Sequence, residues 1–502
     1  MTAATIHGAL AEVATRGPDD TAVVLDGEHW SFATLQRRVE AAAAVVAART
    51  APGDRVAVVA WNGPWWLEAA FGAPAAGRLL AMISPRLTMA EIEQQLDQVG
   101  ARLVVVDTSV ADPAALRRPG REVMTVQDWS SAVAGATGTA TATTDRPVDD
   151  RAWLVFTSGT TSRPKAAVLT HRGLLAAIDA TAAARPADPD DVYLYVFPMW
   201  HVALYNVLCR LLAGRPVVLQ ARFDARGVID AVGAHGVTSI SLAATMLDAV
   251  LDALAADPSA SASLATLRDI TYGAAPMPST VLRRAAAALD VSFWQGYGMT
   301  ELSGNAVFLS ADDHRRGLAG EAALLRAAGR PAPGVEARIA GDGEIEVRAA
   351  QVMAGYWDDP DATAAAFTSD GWLRTGDVGA LDESGLLSVL DRKKDVIITG
   401  GENVSAREVE EVLLQHPAVA DVAVVGVPDA RWGENVCAVV VPAGPLDPAD
   451  LRAFARERLA GFKVPRHVVE RESLPVNPSG KVVKADLRAW LAATPNLLGH
   501  RA

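Results

Sequence analysis

A run of hydroxyl, glycine and cationic residues, TSGTTSRPKAAVLTH, occupies positions 157–171. It follows the apolar run 153–156 and leads into a helix-like segment that starts near Gly173. Hydroxyl groups donate hydrogen bonds, glycine lets a ligand approach the backbone closely, and Lys165 adds a positive charge. A strand, a loop of this kind and a helix together predict a site for a phosphate-bearing ligand.

The loop differs from a Walker A phosphate loop, which needs a second glycine, a lysine and a hydroxyl residue that binds Mg²⁺. Lys165 stands at the required spacing from Gly159, but Pro164 replaces the second glycine and Ala166 replaces the hydroxyl residue. The sequence therefore disfavours a P-loop kinase or GTPase. Its hydroxyl groups, glycine and lysine still suit the binding of a phosphate. A flexible surface loop rich in serine and threonine is the alternative.

Four further stretches combine turn residues with groups that suit a nucleotide. QGYGMTE at 295–301 places an aromatic ring between two glycines, followed by a hydroxyl and a carboxylate suited to a metal ion. TGD at 375–377 puts a carboxylate in a turn, where it can accept from ribose hydroxyls. A charged cluster with paired glycines fills 391–410, and PVNPSGKVVKADL at 475–487 contains a glycine–lysine turn. Each stretch alone is ordinary, but all five in this order are hard to dismiss.

Alternating helix and strand patterns surround these stretches. SFATLQRRVEAAAAVVAA at 31–48 predicts a helix with Ser31 as its N-cap, and GDRVAVVAW at 53–61 predicts a buried strand. The alternation predicts an α/β class with parallel sheets covered by helices. Short strands and Gly-Asp turns at 330–390 predict a small antiparallel β region, and a separate hydrophobic pattern from about 392 predicts a small α+β domain.

Composition limits the function classes. A net charge of −13 argues against nucleic acid as the main partner, because duplex binding depends on phosphate neutralisation by Lys and Arg. Cys209 and Cys437 lack metal-ligand spacing and are expected to be reduced core residues of a cytoplasmic protein. The most apolar stretch, 193–214, contains a proline and polar residues that are costly in lipid, so we expect a buried strand, loop and helix instead of an integral membrane segment. The N-terminus shows no secretory pattern.

With the five stretches in this order, the chain resembles the adenylate-forming superfamily, which includes AMP-dependent CoA ligases (acyl- and aryl-CoA synthetases), peptide-synthetase adenylation domains and firefly luciferase. The resemblance runs from the helix at 31–48 to SGKVVKADL and covers nearly the whole chain. It implies a large N-terminal AMP-binding and acyl-binding domain, 1–391, and a small mobile C-terminal domain, 392–502, with a hinge near Lys394.

The resemblance also implies roles for single residues. The residues implied in catalysis are Thr300, Glu301, Lys481 and, at the acyl site, His201. Those implied in ATP or AMP binding are Thr157, Ser158, Gly159, Thr160, Thr161, Lys165, Gly273, Ala274, Ala275, Gly296, Tyr297, Gly298, Asp377 and Arg392. Mg²⁺ would be held by Glu301 and Thr160. CoA would contact Gly400, Gly401, Trp432, Phe462 and Lys463, with core packing or solvated surface as the alternative for the last three.

Two loop positions depart from the superfamily pattern, which usually has glycine where Ser162 and Ala166 stand. Neither change alters a charge, so we expect altered loop dynamics and retained activity. Ser405 stands where proline is common.

The implied activity is that of an AMP-forming acyl-CoA synthetase using ATP, Mg²⁺ and CoA. A carboxylate attacks the α-phosphorus of ATP and pyrophosphate leaves; a thiol then attacks the mixed anhydride and AMP leaves. Lys481 is useful only in the first half, so the small domain is expected to swing at Lys394.

The strip around His201 bears on the acid. Relatives that activate amino acids place an aspartate here to hold the ammonium, and none stands between Phe197 and Arg210. A fatty or aromatic carboxylic acid is therefore expected. Arg210 is a candidate for binding a malonate-type acid, with structural pairing as the favoured alternative, and a hydrogen-bonded core histidine is the alternative for His201. Candidates to shape the pocket are Trp200, Tyr205 and Met246.

Two rival functions stay open. The first is a stand-alone enzyme that loads its acyl group onto a carrier protein, which we expect to be a separate chain because only a short tail follows Lys481. The second is a non-catalytic acyl or nucleotide sensor, which the intact set of charged residues disfavours. The oligomeric state is also open, with a homodimer as one alternative.

Overall fold

The structure, a computed structural model, describes residues 3–25, 27–136, 151–157, 164–273, 277–429, 431–476 and 482–498. The chain divides into two compact units. The first comprises Met1–Ala337 and Val347–Leu373, and the second comprises Arg338–Glu346 and Arg374–Ala502. The boundary at 391/392 and the hinge near Lys394 remain predictions.

The helices in the described residues are α1 (Ile6–Arg16), α2 (Phe32–Ala47), α3 (Pro64–Ala75), α4 (Met89–Val99), α5 (Pro113–Leu116), α6 (Val126–Gly135), α7 (His171–Ala184), α8 (Tyr205–Leu212), α9 (Ala225–His235), α10 (Ala244–Ala256), α11 (Ser279–Ala288), α12 (Ala311–Ala319), α13 (Pro360–Ala366), α14 (Ala406–Leu413), α15 (Pro448–Arg456) and α16 (Lys484–Ala493).

The strands are β1 (Thr21–Leu25), β2 (Glu28–Ser31), β3 (Arg55–Val59), β4 (Leu79–Met82), β5 (Ala101–Val106), β6 (Glu122–Thr125), β7 (Arg151–Thr157), β8 (Lys165–Thr170), β9 (Tyr193–Tyr195), β10 (Val217–Leu219), β11 (Ser239–Ser241), β12 (Asp269–Gly273), β13 (Ser292–Met299), β14 (Gly304–Leu309), β15 (Arg330–Pro331), β16 (Val335–Ile339), β17 (Glu344–Ala349), β18 (Leu373–Leu381), β19 (Leu387–Arg392), β20 (Ile397–Thr399), β21 (Glu402–Val404), β22 (Val419–Asp429), β23 (Gly433–Pro442) and β24 (His467–Glu470).

Two large sheets organise the first unit. One has the order β6-β5-β3-β4-β7-β8, parallel except for the β7/β8 hairpin at its edge. The other has the order β15-β14-β13-β12-β11-β9-β10-β1-β2, with a parallel centre and antiparallel strands at both ends. After Arg55 and Arg102, β3 and β5 continue as buried apolar runs, which is typical of the central strands of a parallel sheet. This arrangement confirms the predicted α/β class.

Helix ends follow the local sequence. Ser31 caps α2 as predicted, since its hydroxyl accepts from the backbone N–H of Thr34 over 3.2 Å. Thr88 and Glu91 form a reciprocal capping box at the start of α4, which ends at Gly100 with φ 61°. The apolar stretch 193–214 forms a buried strand, a loop and a helix, as expected. No helix in the described parts of the chain combines the length and apolar character that crossing a membrane requires.

The second unit is built around a sheet of order β21-β20-β23-β22, with β24 parallel to β23. Residues of β22 alternate between two cores: Val422 and Val424 pack with α14 and α15, and Ala423 and Val425 pack with α16. The antiparallel region predicted at 330–390 is a four-stranded sheet of order β16-β17-β18-β19.

Candidate active site

The β7–β8 hairpin holds the two ends of the predicted phosphate loop. Thr157, the last residue of β7, pairs with Lys165, the first residue of β8, and its Oγ1 donates to the Lys165 carbonyl oxygen over 3.4 Å. The Gln98 side chain donates to the Pro164 carbonyl oxygen over 2.9 Å. These bonds fix both ends of the loop. The roles of four loop residues stay predictions, because these lie outside the described residues: Ser158, Gly159, Thr160 and Thr161.

Close backbone approaches explain the glycines of the predicted adenine site. A Cβ on Gly273 would lie 2.4 Å from the carbonyl oxygen of Gly296, its partner across β12/β13. A Cβ on Gly298 would lie 2.0 Å from the carbonyl oxygen of Gly304. Glycine therefore lets these strands meet around the half-buried Tyr297. Two further predicted residues lie outside the described parts of the chain, Ala274 and Ala275.

Glu301 lies in a short 3₁₀ turn, Thr300–Leu302, directly after β13. Gln351 braces this turn, because its Nε2 donates to the Leu302 carbonyl oxygen over 2.7 Å. The Ser303 hydroxyl donates to the Gln351 carbonyl oxygen over 2.8 Å, and Ser303 itself adopts a left-handed φ of 54°. A non-glycine residue is uncommon in that region, so these buried bonds hold a conformation that the free chain would avoid.

The Glu301 carboxylate accepts from a tyrosine hydroxyl. The Tyr356 hydroxyl donates to Glu301 Oε1 over 2.8 Å, and Lys165 Nζ lies 5.1 Å from the centre of the Tyr356 ring. Burial, followed by the charge of Glu301, raises the pKa of Tyr356, so its hydroxyl stays protonated and remains a donor. The predicted phosphate cation and the predicted metal carboxylate are thus both in contact with one side chain.

His201 stands just before a 3₁₀ helix, Val202–Leu204, that leads into α8. Its ring centre lies 6.2 Å from that of Trp200, which is buried and meets Trp61 edge to face at 5.6 Å. His201 therefore lies beside one ring of an aromatic pair. Tyr205 is also buried, and Met246 packs partly buried against the core of the nine-stranded sheet.

Arg210 is paired inside the protein. Its Nε lies 3.0 Å from Asp191 Oδ2, and both side chains are buried. A buried arginine with a carboxylate partner is already neutralised, so the geometry favours the structural alternative for Arg210 over recognition of a second substrate carboxylate.

The second unit brings the two predicted ribose residues together. Asp377 and Arg392 pair across β18/β19, with Arg392 Nε 2.8 Å from Asp377 Oδ1. Burial lowers the pKa of the predicted hinge residue, Lys394. Arg488 of α16 donates to the neighbouring Asp395 over 2.8 Å. One predicted catalytic residue lies outside the described residues, Lys481.

Gly400 and Gly401 form the turn between β20 and β21. Their φ values of 61° and 84° lie in the left-handed region, which favours glycine. The Gly400 N–H donates to the Trp432 carbonyl oxygen over 2.7 Å, and a Cβ on Gly400 would lie 2.7 Å from the Trp432 ring. The Trp432 ring therefore covers the turn.

The other two predicted CoA residues lie at the surface. Phe462 is 43 % exposed, and Lys463 Nζ lies 2.6 Å from Glu408 Oε2. This ion pair is partly exposed, with side-chain exposures of 23 % and 45 %. Contact with CoA stays a prediction for both residues.

Tyr356 and Gln351 were missed by the sequence reasoning. Tyr356 bonds to Glu301, which lies 55 positions away in the sequence, and Gln351 bonds to Leu302, which lies 49 positions away. The stretch AGYW at 354–357 shows only an aromatic pair after a glycine, which does not by itself indicate a nucleotide site.

Comparison with known proteins gives matches to two family models. The family model described as AMP-binding enzyme matches residues 10–357. The chain belongs to this family. A second model, the AMP-binding enzyme C-terminal domain, matches residues 408–481.

Relatives of this AMP-binding enzyme cover almost its full length. A feruloyl-CoA synthase from Amycolatopsis sp is 36% identical over 95% of this chain and 96% of its own. A fatty acid–[acyl-carrier-protein] ligase, ScoC, from Streptomyces coeruleorubidus is 34% identical over 94% of this chain and 93% of its own. The solved structure of O-succinylbenzoate CoA synthetase (MenE) from Bacillus subtilis with ATP and magnesium ion has a TM-score of 0.83 and 29% identity, covering 96% of this chain and 99% of that one.

These similarities confirm the expected activity class for this AMP-binding enzyme. It is an AMP-forming acid–thiol ligase of the acyl-CoA synthetase kind, which uses ATP, Mg²⁺ and CoA. Within the described residues, no group of three or more His, Cys, Asp or Glu side chains could hold a metal by itself. Glu301 alone nevertheless fits Mg²⁺, which proteins usually hold through one or two carboxylates together with substrate phosphates.

Proposed function

We propose that this AMP-binding enzyme activates an aromatic or other apolar carboxylic acid and transfers the acyl group to CoA. The observation that carries the activation step is the contact of Tyr356 with both Glu301 and Lys165, which brings the proposed metal carboxylate and the proposed phosphate cation together beside the start of β8. The similarity to a feruloyl-CoA synthase supports an aromatic acid.

The acid-binding strip supports the same substrate class. No aspartate stands between Phe197 and Arg210 to bind an ammonium group. Arg210 is neutralised by Asp191, and His201 lies beside Trp200, which packs against Trp61. These features disfavour amino acids and dicarboxylic acids and leave a planar or extended apolar acid as the best fit.

In the first half-reaction a carboxylate oxygen bonds to the α-phosphorus of ATP while the bond to pyrophosphate breaks. Thr157, Lys165 and Thr300 bind and orient the phosphates, and Lys481 stabilises the charge that develops on them. Bound Mg²⁺ supplies further charge neutralisation at the phosphates, with Glu301 as its protein ligand. Asp377 and Arg392 bind the ribose.

In the second half-reaction the CoA sulfur bonds to the acyl carbon and the carbon–oxygen bond to AMP breaks. Gly400, Gly401 and Trp432 serve this step, in which Lys481 has no task. The residues after the 391/392 boundary rotate about Lys394, which brings Gly400, Gly401 and Trp432 to the nucleotide in place of Lys481.

A carrier protein is the second candidate acceptor, and the similarity to the ScoC ligase favours it. The two acceptors make different demands, since CoA presents a nucleotide and a carrier protein presents a protein surface. A cytoplasmic location is supported by Cys209 and Cys437, which are buried free thiols. A homodimer is a further proposal, which light scattering of the purified protein tests.

A panel of carboxylic acids tests the function. Pyrophosphate release is measured for cinnamic acids, benzoic acids, fatty acids, malonate and amino acids, with and without CoA or a phosphopantetheinylated carrier protein. We expect release with aromatic or apolar acids and thioester formation with CoA. Release driven best by malonate or an amino acid would contradict the substrate class, and thioester formed only on the carrier would replace CoA as acceptor.

A further inference from the structure

We propose that Tyr356 is a positioning residue for the adenylation step, which holds the Glu301 carboxylate in the orientation that binds the nucleotide's metal ion. The inference rests on the proposed function of Glu301. It assigns a task to a residue outside the predicted nucleotide-binding stretches.

Tyr356 belongs to a segment that lies between β8 and the turn of Glu301; we call residues 353–357 the strap. The strap N–H at 353 donates to the Glu301 carbonyl oxygen over 2.8 Å. The N–H groups at 354 and 357 donate to Val168 and Ala166 of β8 over 2.9 and 2.8 Å. The strap thus ties the backbone of Glu301 to the strand that begins with Lys165.

Gly355 and Thr363 lock the strap in place. Gly355 has a φ of 141°, and a Cβ there would lie 2.7 Å from Thr363 Cγ2. The Thr363 hydroxyl accepts from the Tyr356 N–H over 2.9 Å. A glycine is therefore needed beside Tyr356, and the tyrosine ring leaves the strap at a fixed point.

The Tyr356 hydroxyl leaves one carboxylate oxygen of Glu301 available. It donates to Oε1 over 2.8 Å, and none of the described residues donates to Oε2. A carboxylate held through one oxygen keeps a single orientation and offers the other oxygen to a cation. Removing a partner that orients a metal-binding side chain in this way typically lowers metal affinity by about 10- to 100-fold.

The ring of the same tyrosine faces Lys165, whose Nζ lies 5.1 Å from the ring centre. This contact attracts the ammonium without neutralising it, so Lys165 keeps its full charge for a phosphate. The hydroxyl and the ring therefore have separable tasks: the hydroxyl acts on the carboxylate, and the ring acts on the cation.

The coupling between Mg²⁺ and ATP binding tests the proposal. Calorimetry measures the ATP affinity of the full-length protein in excess Mg²⁺ and in EDTA, without any carboxylic acid. We expect Tyr356→Phe to lower the affinity about 10-fold in Mg²⁺ and to leave the affinity in EDTA within about twofold. Equal loss in both conditions, or no loss in Mg²⁺, would overturn the proposal.

Two further variants show through which group Tyr356 acts. Glu301→Gln should lower the Mg²⁺-dependent affinity, because it removes the anionic metal ligand. The double variant with Tyr356→Phe should lose no more, because Tyr356 then has no metal ligand left to orient. An additional 10-fold loss in the double variant would contradict action through Glu301, as would an unchanged affinity in Glu301→Gln.

The matched control is Tyr193→Phe, which removes a buried hydroxyl that donates to Ser241 over 2.8 Å in the same unit. It should leave the Mg²⁺ coupling unchanged. The calorimetry does not depend on the acid panel: absence of pyrophosphate release with every acid would contradict the proposed function, whereas unchanged Mg²⁺ coupling in Tyr356→Phe would contradict only the role of Tyr356.

Discussion

The two units hold their predicted functional residues in different ways. In the first unit, backbone ladders and buried donors fix the hairpin ends, the glycine strands and the Glu301 turn. In the second unit, the buried Asp377 is paired with Arg392, but the predicted CoA residues lie on a glycine turn and towards the surface, where Phe462 is 43 % exposed. The ion pair of Lys463 with Glu408 is partly exposed.

This difference has a physical reason under the proposed function. Stabilising charge on ATP needs groups that are already in place, since reorganisation during the reaction would raise its barrier. A unit that serves two half-reactions in turn must instead keep its functional groups accessible and weakly engaged. Substitutions in the first unit should therefore disturb stability and nucleotide binding together, whereas those in the second should disturb single steps.

The largest expected effect comes from Lys481→Ala, which should separate the two half-reactions. Pyrophosphate release should fall on the order of 10²–10³-fold, because a cation that stabilises the developing phosphate charge is lost. CoA transfer from supplied acyl-adenylate should be retained, and stopped-flow and quench measurements follow each half. An equal loss in both halves by a folded protein would contradict the division of roles.

Gly298→Ala tests the rigid side of the comparison. The new Cβ would meet the Gly304 carbonyl oxygen at 2.0 Å, so backbone must move. The expected cost is about 1–3 kcal/mol of unfolding free energy, with weaker ATP binding, measured by denaturant titration and calorimetry. Gly135→Ala is the matched control, because nothing lies within 4 Å of a Cβ at that helix end. Equal stability of the two variants would show that the close approach is not rigid.

Trp432→Ala tests the accessible side. The ring covers the Gly400 turn and contacts the Arg466 guanidinium at 4.7 Å, so its loss should raise the KM for CoA about 10-fold. Pyrophosphate release and unfolding free energy should change little, and Trp432→Phe should recover most of the CoA affinity. A loss of pyrophosphate release in Trp432→Ala would mean that the second unit is as tightly coupled to the first step as the hairpin is.

Local patterns predicted much of the framework. The Ser31 cap, the strands around GDRVAVVAW and the strands of the second unit depend on neighbours in sequence, and all are present. The charged motifs indicated which chemistry to expect. The pairs Asp377–Arg392 and Gly400–Trp432 also come together within one unit.

Contacts between distant positions could not be predicted. The Tyr356–Glu301 bond depends on how the strap packs against β8. The local sequence around either residue does not indicate that the two are in contact. The Arg210–Asp191 pair likewise becomes evident only when α8 and the segment before β9 pack together. The sequence around a charged residue does not indicate whether the folded protein places an oppositely charged side chain beside it.

The nucleotide product shows which phosphorus of ATP the acid attacks. The protein is incubated with ATP, Mg²⁺, CoA and an acid that supports turnover, and the nucleotides and phosphates are separated by ion-exchange chromatography. We expect one AMP and one pyrophosphate for each thioester formed. ADP and inorganic phosphate in their place would mean that attack occurs at the terminal phosphorus, and would contradict an AMP-forming reaction.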